Sequence, residues 1–212
     1  MRNFSQFRKE YCGTKIDVAE MSTDPVVQFN IWFNEAVTTN VNEPNAMIVA
    51  TSDAGGVPSC RVVLLKEFSP DGFIFFTSYA SRKGRDIQAN PQVSLLFFWA
   101  EQARQIRIYG IAGKTSDHQS DTYFHSRPLR SQVAATVSLQ SSIIASREFL
   151  DKNFQSQLEK AAISGVKRPP HWGGYCVKPY EFEFWQGRED RLHDRIRYLQ
   201  QDGLWVRERL SP

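Results

Sequence analysis

From Ala46 to Lys114 the sequence is a succession of short β-patterned runs separated by turn clusters, and this stretch constrains the fold more than any other. Ala46-Thr51 leads through Asp53-Ala54-Gly55-Gly56 into Val57-Phe68, the pattern of a hairpin. Ser69-Pro70-Asp71-Gly72 turns the chain again, into Phe73-Ser78. Val93-Trp99 and Gln105-Lys114 are two further β-rich runs. Five strands joined mostly by hairpin-length links predict a small antiparallel barrel.

Helices flank this region. Asp24-Pro25 is a helix start, and Val26, Phe29, Trp32, Phe33, Ala36 and Val37 follow at helical spacing. Ser81-Asn90 reads as a short helix, Asp117-Arg127 as one capped by Ser116 and stopped by Pro128, and Ser146-Ala162 as a longer one. Tyr175-Gln186 alternates at its end, and Asp202-Gly203 between Tyr198-Gln200 and Leu204-Leu210 signals a last hairpin. The fold class is mainly β with flanking helices (α+β). Residues 1–22 lack periodicity and read as a flexible arm, leaving 23–212 as a single domain.

Composition removes several function classes. Hydrophobic residues are 41% of the chain, and 15 Phe with 5 Trp imply an aromatic core. A net charge of +3 is too small to imply nucleic acid, although the arginines cluster, which favours small anionic ligands. Cys12, Cys60 and Cys176 form no CxxC pair, and His118, His125, His171 and His193 lack ligand spacing, so neither a disulfide framework nor a metal site is expected. No apolar run suits a signal peptide or a membrane span, and a cytoplasmic location is expected.

Four segments carry polar chemistry. In Arg61-Val62-Val63-Leu64-Leu65-Lys66 the two cations stand five apart, which in an ideal strand puts them on opposite faces and in reach of two ligands. Ser81-Arg82-Lys83-Gly84 places two cations at a helix start, where an anion would relieve their conflict with the helix dipole. Tyr123 and Arg127 share a helix face, and with Ser131 they offer donors suited to a phosphate. Arg191, His193 and Arg195 are spaced by two and in extended chain line one side; the arginines' charges should keep His193 neutral and able to accept a proton. Solvated surface produces the same patterns, so spacing alone leaves both readings open.

Taken together, RVVLLK (61–66), FFTSYASRKG (75–84), RQIRIYG (104–110), YFHSRP (123–128), SLQSS (138–142), HWGG (171–174) and FWQG…RLHDR (184–195) resemble the pyridoxine 5′-phosphate oxidase family, in order and over nearly the whole chain. The resemblance implies an antiparallel FMN-binding split β-barrel, active as a homodimer with its sites at the interface. It implies FMN-dependent oxidation of pyridoxine 5′-phosphate and pyridoxamine 5′-phosphate by O2 to pyridoxal 5′-phosphate, releasing hydrogen peroxide. By position it assigns Arg61, Val62, Val63, Leu64, Leu65, Lys66, Phe76, Thr77, Arg82, Lys83, Gln105, Gln140, Ser141, Trp185 and Arg195 to FMN. Lys66, Tyr123, Arg127 and Ser131 fall to the substrate phosphate, Arg191 and His193 to its ring and to catalysis, and Arg8 and Tyr11 to a lid over the site. Lys9 and Arg188-Glu189-Asp190 depart from the family pattern. The rival readings are another split-barrel flavin oxidoreductase and a non-enzymatic carrier of FMN or pyridoxal phosphate.

Overall fold

The Asp24 carboxylate accepts from the amides of Val26 and Val27, and with Pro25 in the first turn it opens helix α1, Pro25–Thr38. The computed structural model describes residues 2–7 and 10–212. After α1 come strands β1 (Ala46–Ser52), β2 (Pro58–Leu64), β3 (Glu67–Ser69) and β4 (Gly72–Ser78), then helix α2 (Arg82–Ala89). Strands β5 (Gln92–Trp99) and β6 (Arg104–Lys114) precede helices α3 (Asp117–Ser126), α4 (Leu129–Val137) and α5 (Arg147–Ser164). The chain ends in β7 (Trp172–Gln186), β8 (Asp194–Gln201) and β9 (Leu204–Leu210). The strands pair in the order β2-β1-β5-β6-β7-β4-β3, with β8 on β7 and β9 on β8. This antiparallel sheet with flanking helices is the α+β split-barrel class expected from the strand pattern and the resemblance together.

The chain groups into two compact units, where the sequence suggests one domain after residue 22. The first holds the described residues up to Val49 with Ser94–Gly110 and Pro179–Pro212; the second holds Ala50–Val93 and Ile111–Lys178. Strands β1, β5, β6 and β7 each run from one unit into the other.

The first unit is built on aromatic packing. Phe29 of α1 meets Phe97 edge to face at 5.0 Å, and Trp32 meets Phe184 at 5.2 Å. Val37, grouped with them by spacing, is exposed. On β7, Phe182 and Phe184 enter this core, so the alternate residues Glu183 and Trp185 take the other face. Residues 16–22 are tied down: Arg209 donates to Ile16 O, Arg207 to Val18 O and Met21 O, and Tyr198 to Ser22 O, at 2.9, 2.8, 2.7 and 2.7 Å. Asp202 and Gly203, at φ 50° and 81°, make the tight β8–β9 turn that the Asp-Gly pair signals.

In the second unit two expectations fail. Val57-Phe68 is not one strand: pairing stops at Leu64 and resumes at Glu67, because Leu65 turns into the core and the Lys66 amide donates to Ile74 O. Pro128 does end α3, but it also opens α4, which the sequence reading lacks; a proline φ suits a helix start. Gln132 Nε2 seals the junction on Arg127 O at 2.8 Å.

Helix α2 lies tight against the end of β4. A Cβ added to Gly84 would stand 2.2 Å from Tyr79 O and 2.5 Å from Tyr79 C, both backbone atoms. Gly84→Ala is therefore expected to destabilise by on the order of 2 kcal/mol through overpacking. A thermal midpoint equal to that of the unchanged protein would show that α2 has slack. Among the described residues no helix is long and apolar enough to cross a membrane.

Candidate active site

The second unit contains a cleft of about 740 Å³ whose walls come from β2, β4, α2, α3 and α4. Ser81 Oγ accepts from the Gly84 amide and caps α2, which draws Lys83 inward. Lys83 is only 6% exposed. Its Nζ donates to Thr77 Oγ1 at 3.0 Å, Gln140 Oε1 at 3.1 Å and Ser81 Oγ at 3.3 Å. Burial, and secondarily the Arg61 charge, push the Lys83 pKa down to about 8. Arg61 is held by Thr51 Oγ1 at 2.8 Å and by Ser59 Oγ, and Thr51 Oγ1 in turn donates to the buried Asp86 at 2.7 Å. Burial also lowers the Arg61 pKa, against the raising effect of Asp86.

Further along the same cleft, Tyr123 stacks on Phe76 with ring centroids 3.9 Å apart, and Trp172 continues the stack. The Arg127 guanidinium lies 4.7 Å from the Trp172 ring centroid. Its Nη1 is buried without a hydrogen-bond partner, and burial lowers its pKa. Ser78 Oγ, also on the cleft wall, is buried and unpaired as well. Both residues line the cleft, and unpaired buried donors are expensive unless an acceptor reaches them. Lys66 and Ser131 complete this part of the wall.

The cleft thus gathers Arg61, Val62, Val63, Leu64, Lys66, Phe76, Thr77, Lys83, Tyr123, Arg127, Ser131 and Gln140. Leu65 is in the core, and Arg82 is exposed with its amide on Ser141 Oγ at 3.2 Å. The expectation that Arg61 and Lys66 face opposite ways is overturned. The break after Leu64 ends the strand alternation between them, and both line one cleft.

The remaining predicted residues, Arg8 aside, belong to the first unit. A cleft of about 600 Å³ is lined by Tyr11, Arg188, Arg191 and His193, among others. Trp185 lies 4.8 Å from the His193 ring and 5.5 Å from the Tyr11 ring. The extended reading of 191–195 fails: Asp190 and Arg191 adopt φ 54° and 60°, so the chain bends before His193. Arg195 instead pairs with Glu183 through Nε at 2.9 Å and Nη2 at 3.1 Å. Gln105 lies on β6, half-buried. Arg8 lies outside the described residues.

Sequence reasoning missed Glu183, Asp86 and Thr51. Glu183 is 3% exposed and binds both Arg107 and Arg195. Its only signal was a carboxylate in an alternating strand, which reads equally as surface.

Residues 33–158 match the family described as "Pyridoxamine 5'-phosphate oxidase". The chain belongs to this family. Residues 172–212 match the "Pyridoxine 5'-phosphate oxidase C-terminal dimerisation region". The chain is similar to the pyridoxine/pyridoxamine 5′-phosphate oxidase of Nostoc sp., at 49% identity over 100% of this chain and 99% of that one. The enzyme of the same name from Neisseria gonorrhoeae is 47% identical, over 97% of each chain. Among solved structures, PhzG from Burkholderia lata superposes with a TM-score of 0.89 at 30% identity, covering 94% of this chain and 99% of that one.

Proposed function

We propose that the 740 Å³ cleft holds two phosphate groups, that of FMN against Arg61, Thr77 and Lys83 and that of the substrate against Lys66, Tyr123, Arg127 and Ser131. The protein is an FMN-dependent oxidase of pyridoxine 5′-phosphate and pyridoxamine 5′-phosphate. It uses O2, forms pyridoxal 5′-phosphate and acts as a homodimer; we place it in the cytoplasm. The observation that carries the substrate assignment is the buried, unpaired Arg127 Nη1. A phosphate oxygen is the acceptor that the site lacks, and a guanidinium binds it with charge assistance.

The residues present also fit FMN. Lys83 is a cation kept in a buried place at a helix start, where its own charge is disfavoured, and a phosphate dianion stabilises it there. The chemistry that FMN would supply there is acceptance of a hydride equivalent from the substrate and reoxidation by O2, with hydrogen peroxide as the by-product. The chain's own work is orientation: the phosphate grip and the Phe76–Tyr123–Trp172 stack limit the positions open to the substrate. Gln140 and Ser141 join the cofactor contacts, and Arg191 and His193 are assigned to the substrate ring.

The test uses the purified protein with FMN. It should show flavin absorbance and should produce hydrogen peroxide from pyridoxine 5′-phosphate in air, with little from unphosphorylated pyridoxine. A colourless protein that stays inactive with added FMN overturns the reading.

A further inference from the structure

The backbone amide of Arg188 donates to His193 Nδ1 at 3.1 Å. An amide N–H has no lone pair to offer in return, so Nδ1 must present its own lone pair and the ring proton must sit on Nε2. The amide is itself held in place. The Arg188 side chain donates to Gly13 O at 2.8 Å, and the Gly13 amide donates to Gly187 O at 3.2 Å. The ring is flanked by Trp185, tilted against it at 4.8 Å, and by Tyr11 in a T-shaped contact at 5.9 Å. Gly187 has to be glycine for this, because a Cβ there would stand 2.7 Å from Tyr11 Cγ. Nε2 makes no hydrogen bond among the described residues, and His193 lines the 600 Å³ cleft beside Arg191.

We infer that His193 serves the reaction as a fixed Nε2–H donor to a substrate oxygen or nitrogen and not as the proton acceptor. Its only lone pair is engaged by the Arg188 amide, and a proton placed there would set two N–H groups against each other. Arg191 lines the same cleft as a second donor, and Glu10 and Asp190 line it as acceptors. The Arg188 amide is a positioning group: it acts on substrate through the ring. This inference rests on the proposed assignment of Arg191 and His193 to the substrate ring, but the tautomer can be read without substrate.

Two measurements test it on the FMN-loaded protein. In a ¹⁵N-histidine spectrum, with His193 assigned by its loss in His193→Gln, Nδ1 should give an unprotonated, pyridine-type signal and Nε2 a protonated, pyrrole-type one. The reverse pattern overturns the inference whatever the substrate site. In turnover, His193→Gln carries an amide N–H near the place of Nε2, and it should keep kcat within about fivefold while His193→Ala loses about 30-fold, the worth of one directed hydrogen bond. Equal loss in both variants overturns the donor role. Full turnover in both, with the expected tautomer present, overturns the substrate assignment and leaves the lock standing.

Discussion

Arg127→Ala is expected to raise the KM for pyridoxine 5′-phosphate by about 100-fold, which is about 2.7 kcal/mol, and to leave flavin content unchanged. The size follows from the state of the guanidinium without ligand. Its Nη1 is buried and unpaired, and its Cζ lies 4.7 Å from the Trp172 ring centroid. A bound phosphate therefore gains a charge-assisted hydrogen bond from a group that loses little freedom and little hydration. Removing the side chain forfeits that bond, and it also removes a buried charge that the free protein tolerates poorly. The variant should fold at least as well as the parent. Turnover of unphosphorylated pyridoxine at high concentration should not change, which separates a lost phosphate contact from general damage. Arg127→Lys should recover only part of the loss, since a point charge does not reproduce the planar fork. An unchanged KM in Arg127→Ala would put the phosphate elsewhere.

What the sequence made legible, and what it hid, divides along the range of the interactions involved. Helix starts were readable because their chemistry is local: Asp24, Ser81, Ser116 and Ser146 each cap the helix that follows them. The hairpin at Asp202-Gly203 was readable for the same reason. The β2–β3 break and helix α4 were not. Leu65 leaves the strand because the core accepts it, and Pro128 is both a stop and a start, so its neighbours decide. In the candidate site, motifs named the cations but not their partners. Asp86 and Thr51 reach Arg61 across 25 and 10 positions, and Glu183 reaches Arg107 across 76. Such pairings depend on strand order, which one-dimensional spacing does not contain. Residues 190–193 failed for another reason: left-handed backbone at Asp190 and Arg191 is unusual without glycine, so extended chain was the natural expectation.

Lys83 should make cofactor affinity depend on pH in a window where carboxylates and phosphate no longer titrate. In the ligand-free fold its pKa is pushed down to about 8, from 10.5, first by burial and then by Arg61. The sign is fixed by proton counting. Between about pH 8 and 10.5 the unfolded chain holds this proton and the folded chain does not, so the free protein should gain stability as pH rises through that window. Below pH 8 both states are charged, and the folded state carries the whole penalty, about 3 kcal/mol for a shift of this size. A phosphate dianion reverses the preference by giving the ammonium a partner. Above pH 8, FMN binding then takes up a proton, and its Kd should weaken by up to tenfold per pH unit, about 30-fold between pH 7 and 9.5. The proton uptake is measurable by calorimetry in buffers of different ionisation enthalpy. Lys83→Met should bind FMN about 100-fold more weakly at pH 7, through loss of the charge-assisted contact. Its Kd should be flat across the same window, and its ligand-free form should be more stable than the parent at pH 7, because a methionine suits a site that disfavours charge. A parent Kd that does not move between pH 7 and 9.5 would mean that the phosphate of FMN is not what Lys83 holds.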